Sequence, residues 1–270
     1  MLLAVDIGNS NVVFGLYQGT ELLHTFRVAT VLTRTEDEYG VLLRELLALR
    51  KLEWNVVEAA IIASVVPQLT DVLADAIRSA FAREPVVVGP GLKTGMPVLY
   101  ENPREVGADR IVNAVAAYER VHGAVIVVDF GTATTFDCIS EKGEYLGGVI
   151  VPGVRVGLDA LLSRAAKLLP IELAAPPRVL GRNTTHALQS GIVLGHASLV
   201  DGMLDRLDAE LGHTNAVIGT GGLGALVAKH SRRLQTVDVN LTLDGLRIIH
   251  ERNTSPAREP AKKTRSREPS

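Results

Sequence analysis

Cysteine and aromatic residues are scarce in this chain of 270 residues, which carries one cysteine, one tryptophan, five tyrosines and five phenylalanines. The lone Cys138 excludes an internal disulfide and a cysteine-cluster metal centre, and it suits a reducing compartment. It sits in an apolar strand pattern and reads as buried filler, not as a nucleophile. An excess of one charge is lacking too. Lys and Arg number 28 against 30 Asp and Glu, a net charge of −2, so no global field draws nucleic acid or an anionic membrane. No uninterrupted apolar run approaches the roughly 18 residues of a membrane span. No basic segment precedes the opening strand, so no signal peptide is expected. The expectation is a cytoplasmic protein without nucleic-acid or membrane partners.

Two nucleotide motifs are also missing. There is no Gly-x-x-x-x-Gly-Lys-[Ser/Thr], which excludes a P-loop kinase, and no Gly-x-Gly-x-x-Gly after the first strand, which disfavours a dinucleotide fold. His122, His186, His196 and His213 show no metal-ligand spacing. His186 and His196 fall in or beside a helical pattern and read as structural.

What the chain does have is a repeated hairpin. Val5-Asp6-Ile7-Gly8-Asn9-Ser10-Asn11 runs from an apolar strand through Asp-x-Gly into a polar turn, then into a second apolar run from Val12. Val128-Asp129-Phe130-Gly131-Thr132-Ala133-Thr134-Thr135 repeats the plan near mid-chain. Turns at Gln18-Gly19-Thr20 and Glu141-Lys142-Gly143 close both copies. One copy reads equally well as an ordinary turn in which Asp and Asn serve local geometry. Two copies suggest a duplicated domain facing itself across a cleft. Such turns present backbone N–H groups to phosphate oxygens, and a carboxylate beside a phosphate requires a cation between them. Asp6 and Asp129 therefore imply Mg²⁺, with a monovalent ion as a second candidate.

Around the hairpins the pattern is α/β. Richness in Ala, Val, Leu and Gly suits close packing of helices on sheets. The first ninety residues read β-β-β-α-β-α-β, with Thr35-Glu36-Asp37-Glu38 opening the first helix and Pro67 the second. Residues 89–110 form a polar, loop-rich stretch holding Tyr100 and Gly107-Ala108-Asp109-Arg110. Helices are expected over 111–121, 154–166, 225–230 and 243–252, and one long helix over 186–211, capped by Asn183-Thr184-Thr185. A proline-rich extended segment spans 170–181. From Asn253 onward apolar residues almost vanish, and a disordered charged tail is expected. The expected division is 1–112, 113–252 and the tail 253–270.

Asp109 at a loop-to-helix junction can be a plain first-turn acid. In a kinase the same placement suits a carboxylate that accepts the proton of a hydroxyl, with Arg110 beside it to hold an anionic group. Gly147-Gly148, Pro152-Gly153 and Thr220-Gly221-Gly222 stand at strand ends, where they serve either tight turns or the approach of a nucleotide. Read physically, the residues stop at a small-molecule kinase with an acid as its base.

A resemblance narrows this. Asp6-x-Gly8-Asn9-Ser10-Asn11 and Asp129-x-Gly131-Thr132-Ala133 resemble the two phosphate motifs of the acetate/sugar kinase–Hsp70–actin superfamily. Gly107-Ala108-Asp109-Arg110, the run from Gly147 to Gly153, and Asn183-Thr184 are similar to type III pantothenate kinases in particular. The resemblance covers roughly residues 1–250 and implies two ribonuclease-H-like, actin-like domains with ATP between them. It implies that Asp6, Ile7, Gly8, Asn9, Ser10, Asn11, Val12, Val13 and Thr132 bind ATP. It further implies that Asp129 holds a monovalent cation (K⁺ or NH₄⁺) and that Asp109 takes the proton from pantothenate. Tyr100, Gly107, Ala108, Asp109, Arg110 and Thr184 would bind that substrate, and a homodimer would complete the site. Arg110 as a carboxylate clamp is a physical reading outside the motif. Ser10 stands where many relatives have threonine, which keeps the hydroxyl. The rival readings are a non-catalytic transcriptional accessory protein of the same fold and another small-molecule kinase of the superfamily.

Overall fold

The computed structural model describes residues 1–254. Its first unit grows from a three-stranded meander, β1 (Leu2–Ile7), β2 (Asn11–Gln18) and β3 (Glu21–Ala29). The chain then crosses by α1 (Glu36–Ala48) to β4 (Ala59–Ser64), and by α2 (Pro67–Phe81) to β5 (Val86–Val87). Thr35 and Glu38 close a reciprocal capping box on α1, and Pro67 opens α2. After the loop comes α3 (Ala108–Val121).

The second unit repeats the plan. Its meander is β6 (Val125–Phe130), β7 (Ala133–Ile139) and β8 (Tyr145–Pro152). There follow α4 (Val154–Arg164), α5 (Thr184–Gln189), α6 (Gly195–Leu211) and β9 (Ala216–Thr220). Last come α7 (Gly224–Ala228), the short β10 (Thr236–Val237) and α8 (Leu241–Thr254). The sheets run β3-β2-β1-β4-β5 and, read from the other edge, β8-β7-β6-β9-β10. In each, the first strand pairs antiparallel with the second and parallel with the fourth, so Asp6 and Asp129 occupy matching central positions.

Burial follows from this order. β1 and β6 are flanked on both sides within their sheets and are apolar on both faces, as such strands must be. One core lies between the first sheet and α1–α2, another between the second sheet and α4, α6 and α7. A third joins the inner faces of both sheets through α3 and α8. At the crossing of these two helices, a Cβ built on Gly245 would come within 2.1 Å of the Val112 carbonyl oxygen. Tyr17 Oη donates to Asp244 Oδ1 at 2.7 Å and Arg120 Nη2 to Asp238 Oδ2 at 2.5 Å, which pins the return of the chain onto the first unit.

Some expectations need correction. The long helix expected over 186–211 is broken by a π turn, Ser190–Leu194, which contains Gly191 and is followed by Gly195, whose missing side chains allow the wider turn. Asn253 and Thr254 belong to α8 and not to a tail. Asn253 exchanges two hydrogen bonds with the Lys93 backbone, which holds a polar residue in the helix. Residues 255–270 of the expected tail lie outside the described residues. The division expected at 112/113 falls inside α3, which packs against both sheets. The strand β10 and the 3-10 turns Trp54–Val56 and Pro103–Glu105 were not anticipated. Among the described residues no helix is long and apolar enough to cross a membrane.

The crossing makes a prediction of unusual sign. Glycine to alanine in a helix ordinarily stabilises by up to about 1 kcal/mol, but here the added carbon meets backbone. Gly245→Ala should lower the unfolding free energy by about 1–3 kcal/mol in a denaturant titration. A gain in stability would show that the helices do not meet there.

Candidate active site

Both polar hairpin turns end at the same place. Gly8 N–H donates to Asn11 O at 3.0 Å and Gly131 N–H to Ala133 O at 3.0 Å, so each turn closes tightly. The Oγ atoms of Ser10 and Thr132 lie 3.1 Å apart, although 122 residues separate them in sequence. Asn9, Ser10, Gly131 and Thr132 are exposed at this junction. Thr30 supports the first turn from behind, with Oγ1 donating to Gly8 O at 2.6 Å. Ile7 and Val12 have fully buried side chains, so only their main-chain atoms can face a ligand. Val13 is half-buried and packs toward the central core.

Three carboxylates converge beneath the turns. Burial pushes Asp6 up to about 7, aided by the charges of Asp109 and Asp129 and opposed by Arg27. Burial likewise pushes Asp129 up to about 7, with Asp109 and Asp137 adding to it. The Asp109 carboxyl is also raised by burial, offset in part by the Arg110 N–H that its Oδ1 accepts at 2.8 Å and by the Arg110 charge. Gly107 is the N-cap of α3 and Asp109 stands in its first turn. A Cβ at Gly107 would lie 2.5 Å from Asp109 Oδ1. Gly221 closes the site behind Asp129. It adopts φ +87°, and a Cβ there would come within 2.5 Å of Asp129 Oδ1.

The acids do not form a finished metal cage. Among the described residues no three His, Cys, Asp or Glu are grouped as ligands. Mg²⁺ usually takes one or two carboxylates and completes its shell with water and substrate phosphates, so this donor set fits that ion. The raised acids agree, because a cation among them would remove the cost of holding them ionised together.

The substrate-side residues are brought together in part. Arg110 is buried, 8% exposed, and its Nε donates to Asp137 Oδ1 at 2.6 Å. Tyr100 lies with its ring centroid 6.4 Å from that of Tyr145, and its ring faces Gly147. Ala108 packs against the central core. Thr184 does not join them. It is exposed on α5, behind the Asn183 cap, and no hydrogen bond links it to the other site residues. His186 is held by that cap, and His196 is buried with Nε2 3.0 Å from Thr134 Oγ1, a structural role as expected. Cys138 is buried and free.

Sequence reading missed Asn113, whose Nδ2 donates to Asp129 Oδ2 at 3.1 Å while its Oδ1 accepts from Thr242 at 2.7 Å. It also missed Arg27 and Asp137. A signal existed for two of them: Asn113 is the polar residue one turn beyond Asp109 on an otherwise apolar face, and Asp137 interrupts an apolar strand. Two cavities, of about 290 Å³ beside Gly153 and His196 and about 550 Å³ beside Met1 and His250, are not lined by the three acids.

Comparison with known proteins agrees with this architecture. Among solved structures, a Sinorhizobium meliloti protein proposed as a 2-dehydro-3-deoxygalactonokinase aligns with TM-score 0.61 at 15% identity, over 93% of this chain and 99% of its own. A Campylobacter jejuni protein proposed as a Baf family transcriptional activator aligns with TM-score 0.56 at 20% identity, over 93% and 98%. At such identities the likeness concerns the fold alone, the duplicated actin-like and sugar-kinase fold. Sequence relatives are much nearer. Type III pantothenate kinases from Myxococcus xanthus and Anaeromyxobacter are 54% and 56% identical over 94% of this chain and 99% and 100% of theirs. The family model for type III pantothenate kinase matches residues 2–206. The chain belongs to the type III pantothenate kinase family.

Proposed function

We propose that the protein transfers the γ-phosphoryl group of ATP to the primary hydroxyl of pantothenate, giving 4′-phosphopantothenate, the first step of coenzyme A synthesis. The observation that carries this is the meeting of the two hairpins at Ser10 and Thr132 above Asp6, Asp109 and Asp129. The turn from Asp6 to Val13 offers backbone N–H groups and the Asn9, Ser10 and Asn11 side chains to the triphosphate, and Thr132 adds a hydroxyl from the facing unit.

Asp109 is the proton acceptor. Burial raises its affinity for a proton, and its first-turn position aims it at the junction without making it part of either hairpin. Asp6 and Asp129 would hold the cations, Mg²⁺ with the phosphates and K⁺ or NH₄⁺ at Asp129. Those ions, when bound, neutralise charge on the transferring group. Asn113 orients Asp129 for this, since Thr242 fixes which end of its amide points inward. Tyr100, Gly107, Ala108 and Arg110 form the pantothenate side, with Arg110 taking the carboxylate. Thr184 is exposed and makes no hydrogen bond to these residues within one chain. A homodimer that brings a partner's Thr184 to the site accounts for that exposure.

Catalysis is then mainly positioning plus charge stabilisation. A coupled ADP-release assay should show turnover that depends on pantothenate and is faster in potassium than in sodium. ADP release indifferent to pantothenate would sink the assignment, and indifference to potassium would remove the role given to Asp129. Asp109→Asn should lower kcat by about 10²–10⁴-fold while ATP binding, read by calorimetry, stays nearly intact. Near wild-type turnover would place the base elsewhere.

The raised acids also predict a pH dependence. An aspartate near 4 when unfolded and about 7 when folded binds more protons in the folded state across that window, so stability falls as pH rises through it. Without added cations, Asp129→Asn should therefore gain stability on wild type as pH goes from about 4 to about 7, and Mg²⁺ with K⁺ should erase the difference. A wild-type advantage that grows with pH in chelator would contradict the buried-acid account.

A further inference from the structure

Arg110 is anchored from one side only. Its Nε–H donates to Asp137 Oδ1 at 2.6 Å, while Nη2 is enclosed and has no hydrogen-bond partner among the described residues. Nη1 makes no hydrogen bond either, and the side chain keeps 10% of its surface exposed. Asp137 is fully buried on β7. Its Oδ1 also accepts from Tyr145 Oη at 2.7 Å, and its Oδ2 accepts from Thr135 Oγ1 at 3.2 Å. A buried carboxylate with this many donors has one geometry available, and the guanidinium inherits it.

Tyr145 ties the second substrate-side residue to the same point. Its ring is fully buried and lies 5.8 Å from Arg110 Cζ. Its N–H donates to Pro97 O at 2.8 Å, and its carbonyl accepts from Leu99 N–H at 2.8 Å. Those bonds strap the segment ending at Tyr100 onto the start of β8. On the same strand, a Cβ at Gly148 would lie 1.8 Å from Phe136 O and 2.8 Å from Arg110 Nη2, so glycine leaves the room that the guanidinium fills.

The position matters because of what else is near. Arg110 follows Asp109 directly, and Asp109 in turn acts on Asp6 and Asp129. A guanidinium without its own anchor would settle on one of these acids, cancelling the proton acceptor or occupying a cation position. Asp137 holds it through Nε. Among the described residues that leaves Nη1 without a hydrogen bond and not enclosed, a donor for a carboxylate, while Nη2 stays enclosed beside Gly148.

We propose that Asp137 and Tyr145 are a positioning pair that fixes Arg110 and Tyr100 as one wall and thereby sets a preference for acceptors bearing a carboxylate. This rests on the reading of Arg110 as the contact for the pantothenate carboxylate. Neither residue touches substrate. They act through the residues that do.

The test compares pantothenate with its primary-alcohol analogue, in which CH2OH replaces the carboxylate, in full-length wild-type, Asp137→Asn and Tyr145→Phe proteins. Asp137→Asn removes the charge and turns one of the two accepting oxygens into an amide donor, which weakens the Nε anchor. It should raise KM for pantothenate about tenfold or more with KM for ATP within about twofold of wild type. The preference for pantothenate over the alcohol, in kcat/KM, should fall by about the same factor. Tyr145→Phe should move the preference the same way by less, and it decides the matter if Asp137→Asn does not fold in a thermal scan. A folded variant that loses activity on both acceptors equally, with the preference unchanged, overturns the proposal. A wild-type enzyme active on both without preference overturns the Arg110 contact on which it depends. Wild-type protein that phosphorylates neither overturns the pantothenate reading itself.

Discussion

Three carboxylates brought together under two polar turns are the constraint on which this structure depends. Asp6, Asp109 and Asp129 are each raised first by burial, and Asp6 and Asp129 further by their acidic neighbours. No well-packed fold gathers like charges for its own stability. Here the rest of the chain compensates. Both carboxylate-bearing strands are central in their sheets, the helices behind them are apolar, and Gly221 seals one side where a side chain would intrude. The cost left over is what a bound cation and phosphate can remove, so the same arrangement that penalises the free protein favours the loaded one.

Much of this was legible in the sequence, for a physical reason. A central strand of a mixed sheet must be apolar, so an aspartate in one stands out, and the same interruption at Asp6 and Asp129 declared both the duplication and the cleft. The sheet orders bear out the duplication strand for strand. Capping at Thr35 and Pro67 was legible because caps are local. What could not be read was long-range or subtle. The return of α8 onto the first unit depends on Gly245 meeting Val112, which no local pattern announces. The π turn after α5 costs one extra residue in a run that otherwise keeps helical periodicity. Asn253 looked like the start of a polar tail because its partner is the backbone of Lys93, 160 residues away.

The site shows the same division. The hairpin residues and the Asp109 loop announced themselves by motif, whereas their supports did not. Asn113, Asp137 and Tyr145 are buried polar groups, and the hydrogen bonds of each go to neighbouring side chains. Such residues leave a faint trace: a polar side chain where the pattern calls for an apolar one. Thr184 is the converse case, prominent by resemblance yet exposed at the start of α5 with no hydrogen bond to the other site residues.

Duplication by itself gives a symmetric cleft, and a transferase needs an asymmetric one. The break lies in the two helices that follow the two sheets. α3 and α8 hold equivalent places and pack on each other, yet the second residue of α3 is Asp109 and the second residue of α8 is Thr242. One presents a carboxylate to the junction. The other donates its hydroxyl to Asn113, which then turns its amide N–H toward Asp129. One helix start thus supplies the acid proposed as proton acceptor, and its counterpart fixes the amide that hydrogen-bonds Asp129. The hairpin turns are what the copies share, and these two helix starts are a place where they differ.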